Sequence, residues 1–173
     1  DYNAESGITD LLGPRNDVSI LWRALIARGG QNKDITVLTD NLPLTNDFPR
    51  AKGLAESDNI LAELDRLTEK AQKGDTIIFY YSGHGVRQPD NPAEPEDETE
   101  ADGMDQVLLP TDVGAYDPIK MTLKNAIIDD VLGRKISAIR ANGAFVWAVI
   151  DACHSGTVTR GNTVTRSVDP PSL

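Results

Sequence analysis

A lone thiol and a glycine-flanked imidazole are the residues of this chain that could do chemistry. Cys153 is the only cysteine among 173 residues, and the two histidines are His84 and His154. Cys153 lies in Asp151-Ala152-Cys153-His154-Ser155-Gly156, directly after the seven apolar residues Ala144-Phe145-Val146-Trp147-Ala148-Val149-Ile150. His84 lies in Ser82-Gly83-His84-Gly85, directly after Thr76-Ile77-Ile78-Phe79-Tyr80-Tyr81. Runs of this kind, β-branched and aromatic, read as strands buried on both faces. A thiol just past the end of such a strand sits on a rigid support at an open rim, where α/β folds place their chemistry. If the two strands are parallel neighbours, His84 and Cys153 emerge at the same edge. A free thiol has a pKa of about 8.5 and attacks only as thiolate. A nearby imidazole can take that proton as general base and later protonate a leaving amine. The bland alternative is a buried structural cysteine, which the glycine-flanked histidine at the end of a second strand counts against. His154 competes with His84, but as the neighbour of Cys153 it points the other way on an extended segment. Asp151, two residues before Cys153, projects to the same side as the thiol; its plain alternative is a strand-end hydrogen-bonder.

The elements that must position these residues follow from periodicity. Val18, Leu21, Trp22, Leu25 and Ile26 mark a helix over 17–28, with Asn16 as N-cap and Gly29-Gly30 as stop. Asp17 then also reads as an acid in a helix first turn. Ile35–Leu38 reads as a short strand. Ile60, Leu61, Leu64 and Leu67 mark a second helix over 58–72, capped by Ser57 and stopped by Gly74. A short strand is expected at Val107–Leu109. A third helix is expected over 129–141, where Asp129-Asp130 reads as an acidic N-terminus and Gly143 as the end. Strands alternating with helices predict an α/β domain with a mainly parallel sheet covered on both faces. After Cys153 the chain turns Thr-, Arg- and Pro-rich, and Asp169-Pro170-Pro171 reads as a linker.

Composition narrows the function classes. The length fits one domain with a real core. Residues 90–105 hold eight acids (Asp90, Glu94, Glu96, Asp97, Glu98, Glu100, Asp102, Asp105) and no Lys or Arg, so the chain's net −10 falls to −2 once they are set aside. That balance argues against nucleic acid, whose phosphates need clustered Lys and Arg; residues 90–100 read as a solvated insertion. No apolar run approaches the roughly 20 residues of a membrane span. One cysteine excludes an intrachain disulfide and leaves the compartment open. The chain begins at Asp1 rather than Met, which leaves room for a removed upstream segment, and so for either a cytoplasmic or an exported protein.

Tyr81-Ser82-Gly83-His84-Gly85 and Asp151-Ala152-Cys153-His154-Ser155-Gly156 resemble the catalytic blocks of the metacaspases. These are caspase-like cysteine peptidases of plants, fungi, protists and bacteria, and the chain looks most similar to the bacterial members, the orthocaspases. Leu12-Gly13-Pro14-Arg15-Asn16-Asp17-Val18 resembles the family's segment opening its first helix, and Asp102-Gly103-Met104-Asp105-Gln106-Val107-Leu108-Leu109-Pro110 its acidic-to-strand segment. The likeness runs to about Thr159. The Gln-Ala-Cys-x-Gly pattern of animal caspases is absent.

The resemblance implies a caspase-like three-layer sandwich, its mainly parallel sheet flanked by helices. It places a peptidase domain at 1–160 and a linker at 161–173. It further implies that the family's first strand, before Asp1, and the strands of the small subunit, after the linker, lie outside this stretch. It implies an endopeptidase with Cys153 as nucleophile, His84 as base, and the N–H groups of Gly85 and Cys153 as oxyanion hole. Asp17, Ser82 and Asp151 match the pocket that takes a substrate Arg or Lys, a role suited to carboxylates because guanidinium pairs are bidentate and charge-assisted. In calcium-dependent members four aspartates bind the ion. Asp105, Asp129 and Asp130 match three, while the fourth position holds Arg160, a cation that cannot be a ligand. Related chains cut themselves between their large and small subunits, which singles out Arg160 and Arg166. The expected partners are peptide or protein substrates and the chain's own small subunit. A catalytically silent regulatory module on the same fold is the competing class, disfavoured by the intact Cys153, His84 and Asp151.

Overall fold

The computed structural model describes residue 2 and residues 7–40, 51–90 and 103–152. Helix α1 spans Gly13–Ala27 and has Pro in its first turn. There the missing N–H is no loss and the fixed φ already suits a helix. The helix therefore starts ahead of Asn16, the expected N-cap. Asp17 stands beyond the first turn, which contains no acid, so the reading of Asp17 as a first-turn acid is removed. Arg28 closes the helix and Gly29 follows at φ +94°, a conformation natural only to glycine.

Helix α2 spans Ser57–Lys70 and buries Ile60 and Leu64. Ser57 is its first residue rather than its cap. Its backbone N–H donates to Asp112 Oδ1 at 2.9 Å, so a carboxylate distant in sequence satisfies one of the orphan donors of the helix end. Helix α3 spans Asp129–Ala141, buries Leu132 and Ile139, and is followed by Gly143 at φ +86°.

Strands β1 (Thr76–Ser82) and β7 (Phe145–Asp151) pair in parallel, with Thr76 opposite Phe145 and Ser82 opposite Asp151. Ile77, Phe79 and Tyr81 of β1 and Val146 of β7 pack against Ile60, Leu64, Leu132 and Ile139 from α2 and α3. The opposite face of β1 receives α1. The architecture is thus mixed α/β with a parallel sheet flanked by helices, as expected.

The other strands depart from the simple alternating reading. β2 (Gly85–Pro89), β3 (Met104–Leu108) and β6 (Ile127–Ile128) form a separate antiparallel sheet in the order β2-β3-β6. β4 (Tyr116–Asp117) and β5 (Thr122–Leu123) form a small antiparallel pair. The strand expected at Val107–Leu109 is real but belongs to this second sheet. Only Gly83 and His84 separate β1 from β2, too short a connection for a parallel crossover. Val86, Val107, Leu109 and Val113 make a second apolar cluster under it, flanked by Tyr2 and Ile8. The run Ile35–Leu38 is not a strand: it makes one parallel bridge, Leu38 to Gly53.

The run leading to Cys153 is a strand, but not one buried on both faces. Phe145 is 66% exposed and Trp147 58%. Pairing parity puts these residues on the face of α1, and α1 lies over β1. On the α2–α3 face only Val146 of β7 packs against the core, and Ala148 and Ile150 are exposed as well. The apolar residues of α1 (Val18, Leu21, Trp22, Leu25, Ile26) are correspondingly only half-buried.

Candidate active site

The parallel pairing satisfies the condition on which the site reading rested. Ser82 and Asp151 are level in register, and the Gly83 N–H donates to the Asp151 carbonyl at 3.3 Å. The two chains therefore leave the sheet side by side, one into His84 and the other into Ala152. Cys153 and His154, like Arg160, Arg166 and the acidic stretch 91–102, lie outside the described residues.

Three expected pocket residues come together. The Ser82 hydroxyl donates to Asp17 Oδ2 at 2.9 Å, carrying α1 onto the end of β1. Ser82 and Asp151 are register partners and so face the same side of the sheet, the side of α1. Two carboxylates and a hydroxyl are thereby gathered at one sheet end. Asp151 is exposed and Asp17 half-buried, an arrangement that favours a cation.

His84 is only 4% exposed. Its Nε2 lies 2.9 Å from the Thr9 carbonyl. A carbonyl only accepts, so Nε2 carries the hydrogen, and the neutral ring then has Nδ1 as its basic nitrogen. The backbone N–H of His84 donates to the Tyr2 hydroxyl at 3.0 Å, and the Tyr2 and His84 rings lie 5.1 Å apart, tilted by 50°. Burial pushes the Tyr2 phenol up and the Tyr81 phenol well up from the ordinary value. Sequence reasoning missed Tyr2 and Thr9, because neither stands in a periodic pattern or next to a chemical motif.

Left-handed backbone does not account for the glycines around His84. Neither Gly83 nor Gly85 is among the glycines of positive φ. A Cβ at Gly83 would lie 2.7 Å from Tyr81 Oη and 2.9 Å from its Cζ. That ring is held because its hydroxyl donates toward the Leu109 carbonyl at 2.8 Å and the His84 carbonyl at 3.0 Å. Gly83 is therefore the residue that lets the buried phenol pass beneath the site. Gly83→Ala is expected to cost about 1–3 kcal/mol by overpacking, at roughly 2–4 °C of Tm per kcal/mol. An unchanged melting temperature by calorimetry would contradict that packing.

Gly85 opposes Leu108 in the β2–β3 register. The Leu109 N–H donates to the His84 carbonyl at 3.1 Å, which makes 84 and 109 a pair of the hydrogen-bonding kind. The next pair alternates, so the Gly85 N–H points away from β3.

The three calcium candidates lie in or beside described elements, in β3 and at the start of α3. Asp105 is fully buried in β3, and the Gln88 amide donates to its Oδ2 at 3.3 Å. Asp129 opens α3 and accepts the Gln106 N–H at 3.3 Å. Burial pushes the Asp129 carboxyl up, and the Asp130 charge adds to this. Among the described residues, no group of three or more His, Cys, Asp or Glu is placed to hold a metal ion.

A parallel sheet flanked by helices, with acids and an imidazole at one sheet end, defines a caspase-like α/β domain. The family model described as metacaspase, peptidase C14 domain, matches residues 1–160. Metacaspase-1 of Candida albicans is 33% identical over 149 residues, covering 86% of this chain and 30% of that protein. Metacaspase-1 of a Cryptococcus neoformans strain is 34% identical over 148 residues, covering 85% of this chain and 28% of its own length. Metacaspase-8 of Arabidopsis thaliana is 33% identical over 148 residues, covering 85% and 33%. The chain belongs to the metacaspase family, a family of cysteine-type peptidases. It spans about a third of the length of these relatives. Among the described residues no helix is long and apolar enough to cross a membrane.

Proposed function

We propose that this chain is the catalytic part of a cysteine endopeptidase that cuts peptide bonds after Arg or Lys. The observation that carries the reading is the level pairing of Ser82 with Asp151, with Asp17 bonded to Ser82 on the same face. It supports a cation pocket beside two chain exits, one leading to His84 and the other, two residues on, to Cys153. In this mechanism His84 Nδ1 takes the Cys153 proton while Nε2–H stays on the Thr9 carbonyl. The thiolate attacks the scissile carbonyl carbon, and the oxyanion is met by the N–H groups of Gly85 and Cys153, each donor worth a few kcal/mol. His84 then protonates the leaving amine, and water attacks the thioester with His84 again as base. The outward direction of the Gly85 N–H supports its part in this scheme. The test is a panel of fluorogenic peptides differing only before the scissile bond, given to the full-length protein. Arg and Lys members should be cut and the Asp member spared; a preference for Asp would overturn the reading.

The stretch after Cys153 carries Arg160 and Arg166, each a residue that this pocket accepts. Extended chain covers at most about 3.5 Å per residue, so the segment from Cys153 to Arg166 spans no more than roughly 45 Å, enough to loop back in cis. Self-processing toward a small subunit is expected after Arg166, with Arg160 the lesser site. Mass spectrometry of the full-length protein, wild type beside Cys153→Ala, should find a fragment ending at Arg166 in the wild type alone. Identical fragments in both would refute it.

Arg160 at the fourth ligand position, and the present uses of Asp105 and Asp129, argue for activity independent of calcium. Chelation should leave the rate of peptide cleavage unchanged within about twofold. Activity appearing only with millimolar calcium would show the opposite.

A further inference from the structure

The segment ahead of α1 reaches His84 at its ring, through Thr9, and at its main chain, through Tyr2. The main-chain contact stands where a sheet hydrogen bond would be. Residues 84 and 109 continue the β2–β3 register, and the Leu109 N–H duly bonds the His84 carbonyl at 3.1 Å. The return bond of such a pair would run from the His84 N–H to the Leu109 carbonyl. Instead the Tyr81 hydroxyl sits on that carbonyl at 2.8 Å, and the His84 N–H goes to the Tyr2 hydroxyl at 3.0 Å. Two hydroxyls thus take the places that one ladder bond would fill, Tyr81 on the carbonyl and Tyr2 on the N–H. His84 lies between the strand ends of β1 and β2, and its main chain is held at the carbonyl by the Leu109 N–H and at the N–H by the Tyr2 hydroxyl.

We infer that Tyr2 is a positioning residue for His84, anchoring its main chain and packing a tilted ring against its imidazole so that the imidazole keeps one orientation at the sheet end. This rests on His84 acting as the base in the reaction proposed above. Tyr2 touches neither substrate nor thiol in this account and works only through His84. The ring supplies part of the effect, packing at 5.1 Å; the hydroxyl supplies the main-chain anchor.

Tyr2→Phe removes the hydroxyl and keeps the ring. In the full-length protein kcat should fall about tenfold or more with KM within about twofold, the pattern of a misplaced catalytic group rather than of lost substrate binding. A readout independent of turnover is the His84 Nε2–H resonance by NMR, assigned against His84→Gln, which the bond to Thr9 holds in slow exchange. It should shift or broaden in Tyr2→Phe. Should that variant fail to fold, Tyr81→Phe frees the Leu109 carbonyl to draw the His84 N–H from Tyr2 and is read in the same way. A changed resonance with unchanged kcat supports the anchoring and removes His84 from the base role. An unchanged resonance overturns the inference, whether Tyr2→Phe lowers only the melting temperature or also lowers kcat.

Discussion

Cys153→Ala in the full-length protein is expected to lower peptidase activity by about 10³-fold or more, to the level left by binding and oxyanion stabilisation alone. Within residues 1–173 Cys153 is the only thiol. The residue follows the β7 end, whose core contacts are made by Val146 and Ala152 toward α2 and α3. Removal of the thiol should therefore leave the melting temperature nearly unchanged. His84→Ala should be as inactive as Cys153→Ala, and the double variant no worse than either, because nucleophile and base act as one unit. Turnover near the wild-type rate in purified Cys153→Ala would remove the nucleophile assignment.

The second large effect is expected at the pocket. Asp17→Asn and Asp151→Asn each keep the shape and delete a charge. Hydrogen bonds to charged groups are worth about 1.5–3 kcal/mol. Each variant should therefore lower kcat/KM for an Arg peptide roughly 10- to 100-fold. Asp17→Asn also alters the partner of Ser82 at 2.9 Å, so Ser82→Ala should show a smaller loss of the same sign. Retained kcat/KM for Arg peptides in both aspartate variants would place the specificity elsewhere.

Much of this was readable in the residues. The runs at 76–81 and 144–150 announced strands, and their parallel pairing, a condition at that point, is what the alternation of strands with helices favours. The period of Ile60, Leu64, Leu132 and Ile139 gave the helices that cover one face. Helix starts were less legible, since they depend on tertiary partners: Asp112 caps α2 from across the fold, and Pro14 draws α1 upstream of Asn16. The antiparallel β2-β3-β6 sheet was hidden because its strands are short and two of them follow other elements with almost no linker. The exposure of Phe145 and Trp147 was hidden too, because an apolar run reports what a strand can bury and not which neighbours arrive. In the site, Asp17, Ser82 and Asp151 were found from motif likeness and meet in space. Tyr2 and Thr9 carry no local signal, and their importance arises only where the chain folds back on His84.

The central claim joins a nucleophilic Cys153 to a pocket for basic residues, and one labelling experiment tests both together. Full-length protein is treated with two otherwise identical peptidyl chloromethyl ketones, one ending in Arg and one in Asp, and the modified residue is mapped by mass spectrometry. The account predicts alkylation of Cys153 by the Arg reagent, with little by the Asp reagent and none by either in His84→Ala on the same timescale. Equal labelling by both reagents, or labelling by the Arg reagent at a residue other than Cys153, would contradict it.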